Sequence, residues 1–438
     1  MKRLISILLA IMIAVSLVAC GASEKEEADS GETKLTVWLT TSLVNEFEQQ
    51  QSEDTWFIKE LGKQFEEQNP GVKIEFVSYT DSQECMQVFK ASAQTGDSPD
   101  IVCTWAGNQL FELESLLVDL RDYIPQEDKD AIVAWETVTL NYEEGNKILG
   151  YPNSGNEICG VFYNKDILEA CGLDYDNHAP ADLETFVKDL ETIKAAGYLP
   201  LYATDGGWAH SYLTGFAAYW PQISGTAAVA QAGLGKASFS EDPGFRASIS
   251  VPAELYAKGL INADYASAAD DLGMFVAGEA AFIVTGNWNA ALLEDGVGEG
   301  RVGFMVNFPS PAESNQMGAG IGGIGQAIAV SKTCKNPELA VKFISFLNQK
   351  DNHVKIVKHM SMLPYRFDVT AEDLGYEPGS MDDQMLQASK NSIFWVDNTL
   401  QVDVSAELVA LSPMAIIGDM SVEELAAALD AKAQEVNK

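Results

Sequence analysis

The chain has 438 residues, 47% of them hydrophobic, which is enough to build two domains of ordinary size around packed cores. Its 64 acidic residues against 28 basic ones give a formal net charge of -36, which repels phosphate backbones and excludes nucleic acid as an expected partner. The six cysteines and four histidines show no zinc, redox or metal-ligand spacing, no Ser-His-Asp set can be named, and no cofactor is expected.

Lys2 and Arg3 precede an apolar run over residues 4–15, which has the order of a secretory signal. It is too short to span a bilayer comfortably, since a helix needs about 20 apolar residues for that. Small residues then lead to Cys20 in Leu17-Val18-Ala19-Cys20-Gly21, which resembles the lipobox at which bacterial lipoproteins are acylated and cleaved. The alternative is an ordinary signal peptide that contains a cysteine. Residues 1–19 are thus expected to be a signal peptide, and 20–33 a lipidated Cys20 with an acidic tether too poor in apolar surface to offset the entropy of ordering it. One lipid on the outer face of the cell membrane is the only membrane contact expected. The other cysteines (Cys85, Cys103, Cys159, Cys171, Cys334) read as small core residues, with one bridge left open.

Residues 35–39 and 72–76 have the patterns of strands, and Trp56, Ile58, Leu61 and Phe65 mark one face of a helix between them. A helix over residues 81–94, a buried strand over 100–103 and a helix carrying Leu110, Leu113, Leu116 and Leu117 continue the alternation, which predicts a largely parallel sheet covered by helices. A second α/β set begins near residue 150, with a strand over 158–163 and a helix from Asn164. Leu183, Phe186, Val187, Leu190 and Ile193 line one face of the clearest helix, which Gly197 ends. Later come strands at 280–284 and 328–331, a helix capped by Asn336 with Pro337 at its first position, and a capping box at Ser421 and Glu424 that opens the last helix.

Four blocks, in this order, resemble the family 1 extracellular solute-binding proteins. They are the lipobox, Tyr151-Pro152 followed by Tyr163-Asn164-Lys165-Asp166, the segment from Phe275 through Phe282 to Gly286-Asn287-Trp288, and the helix from Asn336 to Phe343. The resemblance implies a two-lobed, periplasmic-binding-protein-like fold, each lobe a mostly parallel sheet flanked by helices, with a ligand cleft that closes about a hinge. It places residues 34–149 plus about 286–330 in the N-terminal lobe, and 150–285 plus about 331–438 in the C-terminal lobe. It also implies a monomer that binds a carbohydrate and delivers it to the permease subunits of an ABC importer, and no enzymatic activity.

A sugar cleft needs aromatic platforms for C–H faces and polar groups for hydroxyls. Trp105, Asn108 and Gln109 follow a strand at its carboxyl end, where open α/β sheets hold ligands, and the resemblance makes this a contact loop. It likewise matches Trp288 to a tryptophan that stacks on sugar, with Asn287 a departure from the family pattern, and it matches Thr40, Thr41 and Glu157 to polar contact positions. Trp208 and Trp395 are further aromatic candidates, and Gly322 lies in a glycine-rich run, residues 318–325, that permits close backbone approach. Core packing suits each tryptophan as well, Thr40 also fits a cap, and Glu157 also fits a solvated hinge. A polyamine is the second ligand class, because acids and aromatic rings also suit a cation. A surface carbohydrate-active enzyme is the third reading, without a recognisable catalytic motif to support it.

Overall fold

A computed structural model describes residues 32–40, 42–140, 147–269, 272–309 and 319–438. The signal segment, Cys20, Thr41 and Gly318 therefore lie outside the described residues.

The first sheet takes its opening strands from the N-terminal third: β1 (Thr33–Leu39), β2 (Val72–Ser78) and β3 (Ile101–Trp105). β1 lies between the other two and runs parallel to both. Helix α1 (Phe57–Gln68) makes the β1–β2 crossover and buries Ile58, Leu61 and Phe65, the face that its sequence periodicity marks. Trp56 stands just before that helix, where its indole N–H donates to the Glu48 carbonyl at 2.7 Å.

The second sheet is built around β5 (Glu157–Asn164), which is buried along its whole length, and β7 (Ala280–Gly286). β6 (Leu199–Tyr202), β8 (Val302–Met305), β9 (Ile321–Gly323) and β11 (Ile393–Phe394) complete it. Helix α2 (Leu183–Ala195) covers this sheet, its N-terminus capped by Asp182, with Phe186 edge-on to Phe282 at 5.4 Å. A phenylalanine buried in this way contributes about 1.5–3 kcal/mol, and several such rings between helix and sheet hold the lobe together.

Two further strands join the first sheet, one just before the chain leaves it and one after the chain has returned. β4 (Tyr151–Asn153) and β10 (Gln326–Val330) give the order β2-β1-β3-β10-β4, and both β3–β10 and β10–β4 are antiparallel. In the second sheet β5 is antiparallel to β7, β8 and β9. The parallel expectation thus holds for the opening strands. Of the added strands only β10, which comes back through the hinge, runs against β3, and β4 runs with the opening strands. In the second sheet β5, which enters from the first lobe, runs against its neighbours, so both sheets are mixed.

The lobe boundaries differ from expectation for the same reason. Strands β8 and β9 pair with β5, so residues 286–309 and 319–323 stay with the second sheet and do not complete the first. Only at β10 does the chain cross back. Helix α3 (Pro337–Leu347), capped by Asn336, then packs on the first lobe, where Phe343 meets Phe65 at 5.1 Å. A last crossing near Leu363, which bridges to Asn156, returns the chain to the second lobe. The Ser421–Glu424 capping box opens the final helix as the sequence indicates. Cys85, Cys103, Cys159, Cys171 and Cys334 are all unpaired, and all but Cys171 are buried.

Candidate functional site

Three of the four candidate tryptophans come together in the second lobe, on segments far apart in sequence. Trp208 lies in the loop after β6, Trp288 follows β7, and Trp395 follows β11. Ring centroids are 5.7 Å apart for Trp208 and Trp395, and 6.2 Å for Trp288 and Trp395. His210 stands edge-on to both Trp208 and Trp288, at 5.8 and 6.4 Å. Trp395 is buried, whereas Trp208 and Trp288 are half-buried. The Trp288 ring folds back over Gly286, where a Cβ would lie 2.0 Å from it. The glycine before this tryptophan is therefore a steric requirement.

Two buried carboxylates hold the cluster. Glu157 Oε2 accepts the Trp395 indole N–H at 2.8 Å, and Asp397 Oδ2 accepts that of Trp208 at 3.2 Å. Burial pushes the Glu157 carboxyl up to about 8; the Trp395 N–H opposes that rise and neighbouring Asp397 adds to it. Burial raises Asp397 to about 6 against the pull of the Trp208 N–H. At neutral pH the pair therefore keeps a proton, the usual response of closely placed buried acids. A Cβ at Gly325 would lie 2.7 Å from Glu157 Oε2 and 3.0 Å from Trp395 Nε1. Part of the glycine-rich run thus serves this acid–indole contact.

Other expected residues occupy different places. Asn287 is buried, its Oδ1 accepting the Ile158 N–H at 2.8 Å and its Nδ2 donating to the Ser361 carbonyl at 3.1 Å. Asn108 donates to the Thr399 carbonyl at 2.8 Å and ties the first lobe to the second. Gly322 pairs with Ile158 in the sheet, with a would-be Cβ 2.2 Å from the Glu157 carbonyl. The Asn287 amide and the Gly322 backbone thus serve the framework, and the Asn108 Nδ2 serves the contact between the lobes. Thr40 is buried with its hydroxyl 3.1 Å from that of Ser42. Trp105 closes β3, half-buried against the cluster that contains Leu110 and Ala327, and Gln109 is half-buried in the next turn. Among the described residues Trp105 has none of the ring contacts that join the other three tryptophans.

Asp397 and His210 are the site residues that sequence reasoning missed. Asp397 is one of 64 acids, and its position two residues after a candidate tryptophan is the only signal in the sequence. A separate cavity of about 900 Å³ lies where the lobes meet, lined by Asn108, Phe111, Asn156, Leu386 and Phe394 among others. Phe394 faces this cavity and Trp395 faces the tryptophan cluster, as successive residues of an extended segment do. Arg366 at its wall is already satisfied by Asp368 and the Asn348 carbonyl. The tryptophan cluster, with its acids, is the better candidate site. Among the described residues no His, Cys, Asp and Glu group could hold a metal ion, and no helix is long and apolar enough to cross a membrane.

Residues 60–380 match the family described as bacterial extracellular solute-binding protein. The multiple sugar-binding protein of Streptococcus mutans is 23% identical over 359 residues, 77% of this chain and 76% of that protein. The maltodextrin-binding protein of Bacillus subtilis is 24% identical over 382 residues, covering 83% and 81%. Among solved structures, a chitin oligosaccharide binding protein superposes with a TM-score of 0.78 at 19% identity, over 93% of this chain and 99% of that one. The GacH receptor of Streptomyces glaucescens, solved unliganded and with acarbose, gives 0.72 at 16% identity, over 92% and 98%. These likenesses establish the two-lobed α/β fold.

Proposed function

We propose, on the premise that this chain belongs to the bacterial extracellular solute-binding protein family, that it captures a carbohydrate, as an oligosaccharide, and delivers it to the permease of an ABC importer. The family is one of binding proteins, so the chain is an extracytoplasmic receptor and not an enzyme. The observation that carries the carbohydrate reading is the Trp208–Trp395–Trp288 cluster, with ring spacings of 5.7 and 6.2 Å, beside the carboxylates of Glu157 and Asp397. Indole faces suit the C–H faces of pyranose rings. Both of the sequence relatives described above are named for binding sugars.

Lobe closure about the segments that join β4 to β5 and β9 to β10 brings Trp105, Gln109 and Thr40 toward the sugar from the first lobe. Cys20 carries the lipid that keeps the receptor, a monomer, at the outer face of the membrane. A thermal-shift screen of the purified protein against mono- and oligosaccharides tests the carbohydrate reading. Saturation at 100 times Kd stabilises the fold by about 2.7 kcal/mol.

One observation favours a second reading. Glu157 and Asp397 are buried beside three aromatic rings, and no basic side chain is among the groups that shift either acid. A protonated amine would be held there by charge and by the ring faces. Spermidine in the same screen separates the two: stabilisation by spermidine and by no sugar identifies a polyamine receptor.

A further inference from the structure

Trp395 and Asp397 are two residues apart, yet each pairs with a different segment: Trp395 donates to Glu157 on β5, and Asp397 accepts from Trp208 in the loop after β6. The result is one linked chain, Glu157 to Trp395, along the backbone to Asp397, and on to Trp208. Its acids are buried, so the Trp395–Glu157 hydrogen bond is sheltered from competing water and the Trp208–Asp397 bond partly so. The close approach of Gly325 backs the first of them.

We propose that Glu157 and Asp397 are positioning residues for ligand recognition, which act by fixing the orientation of Trp395 and Trp208 through their indole N–H groups. This rests on the carbohydrate reading and deepens it. An indole whose N–H is engaged by a buried acid has only its ring faces left to offer. Trp395 and Trp208 therefore recognise the C–H face of a sugar ring, and hydroxyl groups are met by other residues. The wall accordingly favours sugars that present an uninterrupted C–H face, and a polar substituent projecting from that face is rejected by steric and desolvation cost.

The test uses maltotriose, xylotriose and triacetylchitotriose as probes, with affinity measured by calorimetry and ring geometry by near-UV circular dichroism. Glu157→Ala and Asp397→Ala are expected to weaken the best probe by about tenfold, the worth of one well-placed hydrogen bond, and to alter the indole dichroism. Glu157→Gln and Asp397→Asn, whose amide oxygens still accept an indole N–H, are expected to stay within about threefold of wild type. Should the Glu157→Ala protein fail to fold, Trp208→Phe supplies a second arm. It removes the N–H, and adding Asp397→Ala to it is expected to cost nothing more.

Three results overturn the proposal: unchanged affinity in both alanine variants, loss in the amide variants with undisturbed dichroism, or additive losses in the Trp208→Phe and Asp397→Ala pair. The second would mean that the acids touch the sugar themselves. Failure of the carbohydrate reading is a different outcome, visible as wild-type protein that binds none of the three probes.

Discussion

Trp395 and Glu157 meet at 2.8 Å across 238 positions of sequence, and this one hydrogen bond joins the last strand of the second sheet to the strand that begins it. It puts an acid where acids are costly, and the consequences of that are measurable.

Burial pushes the Glu157 carboxyl up to about 8 in the folded protein from an ordinary value of 4.5. A carboxyl raised in this way holds its proton more tightly when folded, so its contribution is full below pH 4.5 and lost as pH rises through 8. Asp397, raised from 3.8 to about 6, acts in the same direction over a lower window. Glu157→Gln should match wild type in stability at pH 4.5 and exceed it at pH 9. Urea midpoints at the two pH values check this, and a constant difference between the proteins would remove the buried acid from the account.

His353 has the opposite sign. It is fully buried, its Nε2 accepts the Tyr365 N–H at 3.3 Å, and burial, with help from Arg366, lowers it from 6.5 to about 3. The unfolded chain binds a proton that the folded one refuses between those values, so stability falls as pH drops below 6.5. His353→Gln is expected to lose less stability than wild type between pH 7 and pH 4. Equal losses would mean that another group drives acid unfolding.

Trp288 is half-buried and folded over Gly286, where a ligand-facing platform and a packing residue make different demands. Trp288→Ala is expected to weaken sugar binding by about 1–3 kcal/mol. Its stability should fall by less than the roughly 3–5 kcal/mol typical of a core tryptophan. A steep loss of stability with unchanged affinity would show that Trp288 serves packing alone.

At the other end of the chain, Cys20→Ser is expected to release the protein from the membrane fraction or block its maturation, because serine does not take the acyl chains in the same way. Recovery in the membrane fraction equal to wild type would reject the lipid anchor.

Much of the fold was legible because local rules act over short distances. The face of Ile58, Leu61 and Phe65, the Asn336 cap with Pro337, and the Ser421–Glu424 capping box are each set by neighbours within a few residues, and the structure has all of them. The lobe boundaries were not legible. Whether β9 or β10 crosses the hinge depends on partners far away in sequence, on Ile158 for one and Cys103 for the other.

The site divides along the same line. Tryptophan at a strand end is a visible signal, and Trp208, Trp288 and Trp395 do converge. An asparagine in a contact loop looks the same whether it faces ligand or backbone. Only the fold shows Asn108 bound to the Thr399 carbonyl and Asn287 to the Ile158 N–H. Asp397 escaped notice because pairing with Trp208 spans 189 positions.

The central claim, that the tryptophan cluster is a carbohydrate site, is tested most directly by calorimetric titration of wild type and Trp395→Ala with maltotriose, xylotriose, triacetylchitotriose and spermidine. The expected result is saturable one-to-one binding of at least one oligosaccharide by wild type, weakened by at least tenfold in Trp395→Ala, with no heat from spermidine. Oligosaccharide binding that Trp395→Ala leaves intact, or binding of spermidine alone, would contradict it.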